Sequence, residues 1–115
     1  MTFKTITQQR DEKRIFAGND TAHTATGASG ITAVTPALTP LMLDDATGKL
    51  VAWDGQKAGT AVGVLTMPLE GTESVLTYWK SGTFATEALL WPENADAVKK
   101  TNAFVGSAIS HAALP

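Results

Sequence analysis

His23 and His111 are the two side chains in this 115-residue chain best suited to acid–base work near neutral pH. Neither has a carboxylate spaced to share one face of a helix or strand with it. Each therefore reads as a hydrogen-bonded or partly exposed histidine, with a pairing across distant parts of the chain left open. Asp44-Asp45 resembles the opening of a cation loop, but the alternating acids and closing glutamate of a calcium motif are missing, so a capped, solvated turn is expected. Lys80-Ser81-Gly82-Thr83 has the tail of a phosphate loop without the glycines whose amides would cradle phosphate; Thr77, Tyr78 and Trp79 stand there instead. Gly27-Ala28-Ser29-Gly30 misses the spacing of a nucleophile elbow. Asn19-Asp20-Thr21 fits a glycosylation sequon that only a secretory route would use. Trp53, Tyr78, Trp79 and Trp91 admit two readings, a stacking platform for a ligand or the filling of a small core or interface, and the burial habits of aromatic residues favour the second. The chain has no cysteine, which excludes thiolate metal sites, iron–sulfur clusters, cysteine nucleophiles and a disulfide scaffold. No nucleophile, base and orienting acid fall into a catalytic arrangement, so neither an enzyme nor a cofactor or metal is expected.

The elements that position these residues belong to one domain, given the length. A composition 43% hydrophobic and 17% charged, with a net charge of −2, suits a soluble globular protein and not a dedicated nucleic-acid binder. Charge is unevenly placed. Residues 1–14 hold Lys4, Arg10, Lys13 and Arg14 against Asp11 and Glu12, a net of +2, whereas the rest carries five bases and nine acids. The polar opening is not a secretory leader, and the uncharged run 21–43 is interrupted by Thr, Gly, Ser, His23, Pro36 and Pro40, so no membrane helix and a cytoplasmic origin are expected.

Thr2-Phe3-Lys4-Thr5-Ile6-Thr7 has strand propensity but is too short to bury a face and should be disordered alone. Ile15-Phe16 marks where an ordered body would begin. Residues 17–40 show no sustained period and read as irregular or extended backbone pinned by Ile31, Val34 and Leu38 among others. Leu41-Met42-Leu43 is a short apolar run before a turn at 44–48. Strands are expected at 49–53, ending at the turn dipeptide Asp54-Gly55, and at 61–67, where Gly63 marks a bulge or close approach. In 72–80, Val75, Thr77 and Trp79 should face one side, with Leu76 and Tyr78 on the other. Ser81-Gly82 reads as a turn. A helix is expected over 91–100 with Pro92 in its first turn, Asp96 and Lys100 spaced to pair, and lysines at its end. Residues 85–90 fit either a short helix or a strand, and 103–109 fit a last strand. The sum is a mainly β fold with one or two short helices.

Several strings resemble a known family: Ala22-His23-Thr24-Ala25-Thr26, Thr39-Pro40-Leu41-Met42-Leu43-Asp44, Lys49-Leu50-Val51-Ala52-Trp53-Asp54-Gly55, Ala61-Val62-Gly63, Lys80-Ser81-Gly82-Thr83-Phe84 and Leu90-Trp91-Pro92-Glu93. Together they resemble the lambda-type phage head decoration proteins, over nearly the whole chain. The resemblance implies a non-enzymatic cement with a β-clip-like single domain. It implies trimers over local three-fold positions on the outer surface of the icosahedral shell, bound after the shell expands around DNA. It also implies a flexible N-terminal arm, residues 1–14, that adds a strand to a sheet of the major capsid protein, with residues 15–115 as the decoration domain. The expected partners are the major capsid protein and two further copies of the chain, with no nucleic acid and no membrane. The expected location is the virion surface, after synthesis in the host cytoplasm.

The residues support such an arm independently. A segment with strand propensity and no core suits β-augmentation, and Thr5, Ile6 and Thr7 are the expected strand, with Lys4 beside them. Arg10, Lys13 and Arg14 would steer it toward acidic patches in a salt-sensitive way. Apolar and aromatic residues are expected near the trimer axis. A reading from another class, a small binding module recognising a carbohydrate or host protein through its tryptophans, predicts a concave aromatic pocket.

Overall fold

The computed structural model describes residues 15–114. Seven strands run in the order β1 (Thr24–Ala28), β2 (Pro40–Leu43), β3 (Leu50–Ala52), β4 (Ala61–Leu65), β5 (Val75–Trp79), β6 (Ser81–Ala85) and β7 (Ala108–Ala112). A 3-10 turn (Thr86–Ala88) and one helix, α1 (Ala97–Thr101), lie between β6 and β7. The fold is mainly β, as the residue pattern predicts, with a single short helix.

β1-β5-β4-β2-β3 form one antiparallel sheet. It curls until its edges meet: Ser29 bridges Leu50 in parallel, and the Gly30 amide donates to the Leu50 carbonyl at 2.8 Å. β6 and β7 form a separate parallel pair.

β4 is buried on both faces and divides two cores. Ile31, Leu41, Leu50, Leu65, Leu69 and Leu76 fill one, with Val62 and Tyr78 packed against it. The other holds Trp53, Ala61, Val64, Phe84, Phe104 and Ile109, flanked by Phe16, Trp79 and Trp91. A single strand serves both cores because its register shifts opposite Leu41 and Met42. Strict alternation would send Val62 and Val64 to one face; the bulge sends Val62 and Leu65 to one core and Ala61 and Val64 to the other. Gly63 lies in the bulge because a Cβ there would meet the Tyr78 ring at 2.5 Å and the Trp79 carbonyl oxygen at 2.9 Å. The sequence expectation for Gly63 holds in both its forms.

β5 places Leu76 and Tyr78 on one core and Trp79 on the other, as alternation predicts. Other expectations need correction. Within 17–40 the extended alternative holds at residues 24–28, which form a strand, but Val34 is 81% exposed and anchors nothing, whereas Ile31 is buried and Leu38 partly so. Asp54-Gly55 bends the chain, with Gly55 at φ 72°, but does not join paired strands, because β2 lies between β3 and β4. Ser81-Gly82 belongs to β6 and is not a turn. The helix begins at Ala97, capped by the Asp96 carboxylate accepting from the Lys99 amide at 2.8 Å, so Pro92 lies outside it. Residues 103–107 form turns, with Gly106 at φ 100°, and the last strand starts at Ala108.

Candidate functional site

The first described residues pair with β6 through a single bridge and two backbone hydrogen bonds. Ile15 accepts from the Ala85 amide at 2.6 Å, Phe16 bridges Phe84 in antiparallel sense, and the Ala17 amide donates to Thr83 at 3.0 Å. β6 is therefore paired on both edges, with β7 on one side and residues 15–17 on the other. The ladder resumes at His23, whose carbonyl accepts from the Lys80 amide at 2.8 Å, and continues through β1 against β5. Between these stretches residues 18–22 make no ladder pairing and bow away as an irregular bulge, with Gly18 still packed against Thr83. Ser81 fills it: its hydroxyl accepts from the His23 amide at 3.0 Å and donates to the Thr21 carbonyl at 3.4 Å. Gly82, at φ 126°, lets Ala22 approach closely, with the Ala22 Cβ 3.0 Å from where a Gly82 Cβ would stand.

Phe16 seals this entry. Its ring lies 5.3 Å from Trp79 in an edge-on contact and 4.9 Å from Phe84. Ala85 faces Ile15 on one side and Ala112 on the other, so Ile15 and Ala112 lie at the same end of this ribbon. There Glu87 holds the C-terminal segment, its two carboxylate oxygens accepting from the Leu114 amide at 3.2 Å.

Lys4, Thr5, Ile6, Thr7, Arg10, Lys13 and Arg14, the residues expected to form the arm, lie outside the described residues. The histidines are far apart in role. His23 is exposed and contributes its main chain to the ladder. His111 is a cross-brace: Nε2 bonds the Lys100 carbonyl at 2.7 Å and Nδ1 lies 2.7 Å from the Thr86 hydroxyl. A carbonyl only accepts, so Nε2 carries the proton, and in the neutral ring Nδ1 accepts from Thr86. Trp91 packs on this ring at 4.9 Å. Asp44 caps its own turn through the Thr47 amide (3.0 Å) and hydroxyl (2.8 Å). The Ser29 hydroxyl accepts from the Ile31 amide at 3.1 Å, a turn contact. Lys80 to Thr83 is extended backbone with no phosphate cradle. Among the described residues no group of three or more His, Asp or Glu could hold a metal ion.

The tryptophans fill a core and do not form a platform: Trp53 is 2% exposed, and its indole donates to the Thr60 hydroxyl at 2.8 Å. Three surface depressions are lined respectively around Asp44, Asp54 and Lys57, around Gly30, Lys49 and Ser74, and around Met67, Pro68 and Val75, with no tryptophan or tyrosine in their walls.

One feature unread in the sequence is a small nest at residues 70–73. The Glu73 carboxylate accepts from the amides of Glu70 (3.0 Å), Gly71 (3.0 Å) and Thr72 (3.1 Å). These donors, the Glu70 amide foremost, hold the carboxyl below its ordinary value of 4.5. A depressed carboxyl contributes stability at pH values above its unfolded value and loses it as pH falls through the folded one. Glu73→Gln is thus expected to lower the urea midpoint at pH 7, with the gap to the unsubstituted protein closing as the pH is lowered past the glutamate range. A gap constant with pH would show that the carboxylate charge contributes nothing.

The class of this mainly β body follows from its relatives, which are structural proteins of phage heads. The family model described as bacteriophage lambda head decoration protein D matches residues 5–112. The chain is 76% identical to the head decoration protein of Enterobacteria phage P21 over 115 residues, all of both chains. It is 46% identical to a relative in Escherichia phage N15, described as a decoration protein, over 106 residues covering 91% of this chain and 96% of that one. The chain belongs to the lambda head decoration protein D family, a family of structural head proteins and not of enzymes.

Proposed function

We propose that this decoration protein binds the outer surface of the expanded icosahedral head as a homotrimer over local three-fold positions and holds the shell against the outward pressure of packed DNA. Before assembly it resides in the host cytoplasm. Residues 1–14 are the capsid-binding arm and residues 15–115 the decoration domain. Thr5, Ile6 and Thr7 add a strand to a sheet of the major capsid protein, and Lys4, Arg10, Lys13 and Arg14 steer the arm toward acidic patches. The observation that supports this reading is the pairing of residues 15–17 with β6, through the Ile15–Ala85 and Ala17–Thr83 hydrogen bonds and the Phe16–Phe84 bridge, which gives the body sheet contacts at its first described residues.

Ordering an arm costs roughly 1–2 kcal/mol per residue in backbone entropy, so one arm binds modestly and three presented together bind by avidity. A ligand that prefers expanded to unexpanded shell favours the expanded state by its differential affinity, multiplied over many sites. The test is cosedimentation of the full-length protein and of a version lacking residues 1–14 with expanded and unexpanded empty heads. Selective binding of the full chain to expanded heads, weakened by salt and lost on truncation, is expected. Equal binding by the truncated form would sink the arm mechanism, and binding by neither would sink the decoration reading.

A further inference from the structure

We propose that Phe16 is the positioning residue that fixes where the arm leaves the body and passes load between them, an inference that rests on the arm-binding reading above. Residues 15–17 hold β6 through the Ile15–Ala85 and Ala17–Thr83 hydrogen bonds and one side chain that reaches into the core. Ile15 is 37% exposed. Ala17 is partly buried but has only a methyl to offer. Phe16 alone meets two aromatic partners, Trp79 and Phe84, which stand on successive strands of the long run 75–85. Just behind it the ladder breaks at the bulge of residues 18–22. A short terminal strand held by two backbone bonds frays unless a side chain pins it, and the bulge prevents β1 from lending it support.

The consequence is set by tether length. With Phe16 docked, residues 8–14 separate the expected capsid strand at 5–7 from the body, a tether of seven residues. With Phe16 removed, the next firm hold is at Ala22 and His23, against Gly82 and Lys80, and the tether doubles to about fourteen. Effective concentration falls roughly as the −3/2 power of tether length, about threefold for a doubled tether; the first arm binds from solution and only the second and third depend on it, so three arms acting together bind about eightfold more weakly. Tension on the arm would then unravel residues 15–21 before reaching the sheet.

The experiment compares Phe16→Ala, Phe16→Leu and the 1–14 truncation for binding to expanded empty heads, with amide exchange at Ala17 and Ala85 recorded on the free proteins. Phe16→Ala is expected to speed exchange at these amides, leave those of β2 and β4 slow, and weaken head binding about eightfold, with Phe16→Leu recovering most of the loss. A second arm separates anchoring from damage to the body. Because the chain has no cysteine, Ala17→Cys with Thr83→Cys in the Phe16→Ala background forms one defined disulfide across a directly opposed pair when oxidised with glutathione disulfide. Oxidation should restore binding and reduction should remove it again. If truncation abolishes binding while Phe16→Ala binds like the unsubstituted chain, or if the oxidised tether restores nothing, the anchor is wrong and the arm reading stands. If truncation also leaves binding intact, the arm reading fails and the anchor with it.

Discussion

Phe84→Ala is expected to lower the free energy of unfolding by about 3–5 kcal/mol, the usual range for emptying a fully buried aromatic site. Phe84 has no exposed surface, pairs with His111 inside the β6–β7 ladder, and touches Phe16 at 4.9 Å and Trp79 at 6.1 Å between ring centres. Its neighbours on three sides are main-chain elements: residues 15–17, β7 and the partly buried end of β5. Such a site cannot collapse by rotating a few side chains, which places the loss toward the upper end. A domain of this size has a total stability of about 5–15 kcal/mol, so the variant retains only part of it. The melting temperature should fall by roughly 10–20 °C, read by calorimetry or circular dichroism. A loss under about 1 kcal/mol would mean that the ring does not fill the core as described.

The same residue shows what a sequence yields and what it withholds. β3, β4 and β5 were legible because their apolar residues are large and locally patterned, and Leu76 and Tyr78 against Trp79 follow simple alternation. β1 was not, because its inward positions are Ala25 and Gly27. Gly27 is small because the Leu50 side chain occupies its place, with Cδ1 2.6 Å from where a Cβ would stand. Hydrophobic alternation is invisible when a distant residue supplies the bulk. Ser81-Gly82 carries turn chemistry used for another purpose, the accommodation of a bulge in the strand opposite. Pro92 suggested a helix start that Asp96 provides four residues later, since a carboxylate that can accept from the Lys99 amide satisfies an orphan donor and a proline cannot.

The candidate site divides along the same line. The basic, strand-prone character of residues 1–14 is local and could be read from composition. The place where the body receives them could not, because the partners of Phe16 lie more than sixty residues away and β6 pairs with β7 across the 3-10 turn and α1. His111 is similar: its bonds to Thr86 and Lys100 make it a brace only once three separate segments meet.

Gly71→Ala is expected to cost about 2–6 kcal/mol, and its position makes it a control for the arm's attachment. Gly71 has φ 105°, a backbone state essentially reserved for glycine, and forcing another residue into it costs about 1–3 kcal/mol. A Cβ there would also stand 2.7 Å from the Thr32 carbonyl carbon, 2.8 Å from the Ala33 nitrogen and 2.9 Å from the Thr32 oxygen. These are main-chain atoms that cannot rotate aside, so overpacking adds about another 1–3 kcal/mol. The segment most disturbed would be the nest in which Glu73 accepts from the Gly71 amide. Gly71 precedes the start of β5, whereas Phe84 sits on β6 beyond the end of β5, with Phe16 bridged to it from the N-terminal segment. Stability and attachment should therefore separate. At a temperature where both variants remain folded, Gly71→Ala should bind expanded heads like the unsubstituted protein, while Phe84→Ala, which removes the surface Phe16 packs on, should bind more weakly at comparable stability. Equal binding by the two would show that head attachment follows global stability alone, and would remove any special role for the end of the body where residues 15–17 join β6.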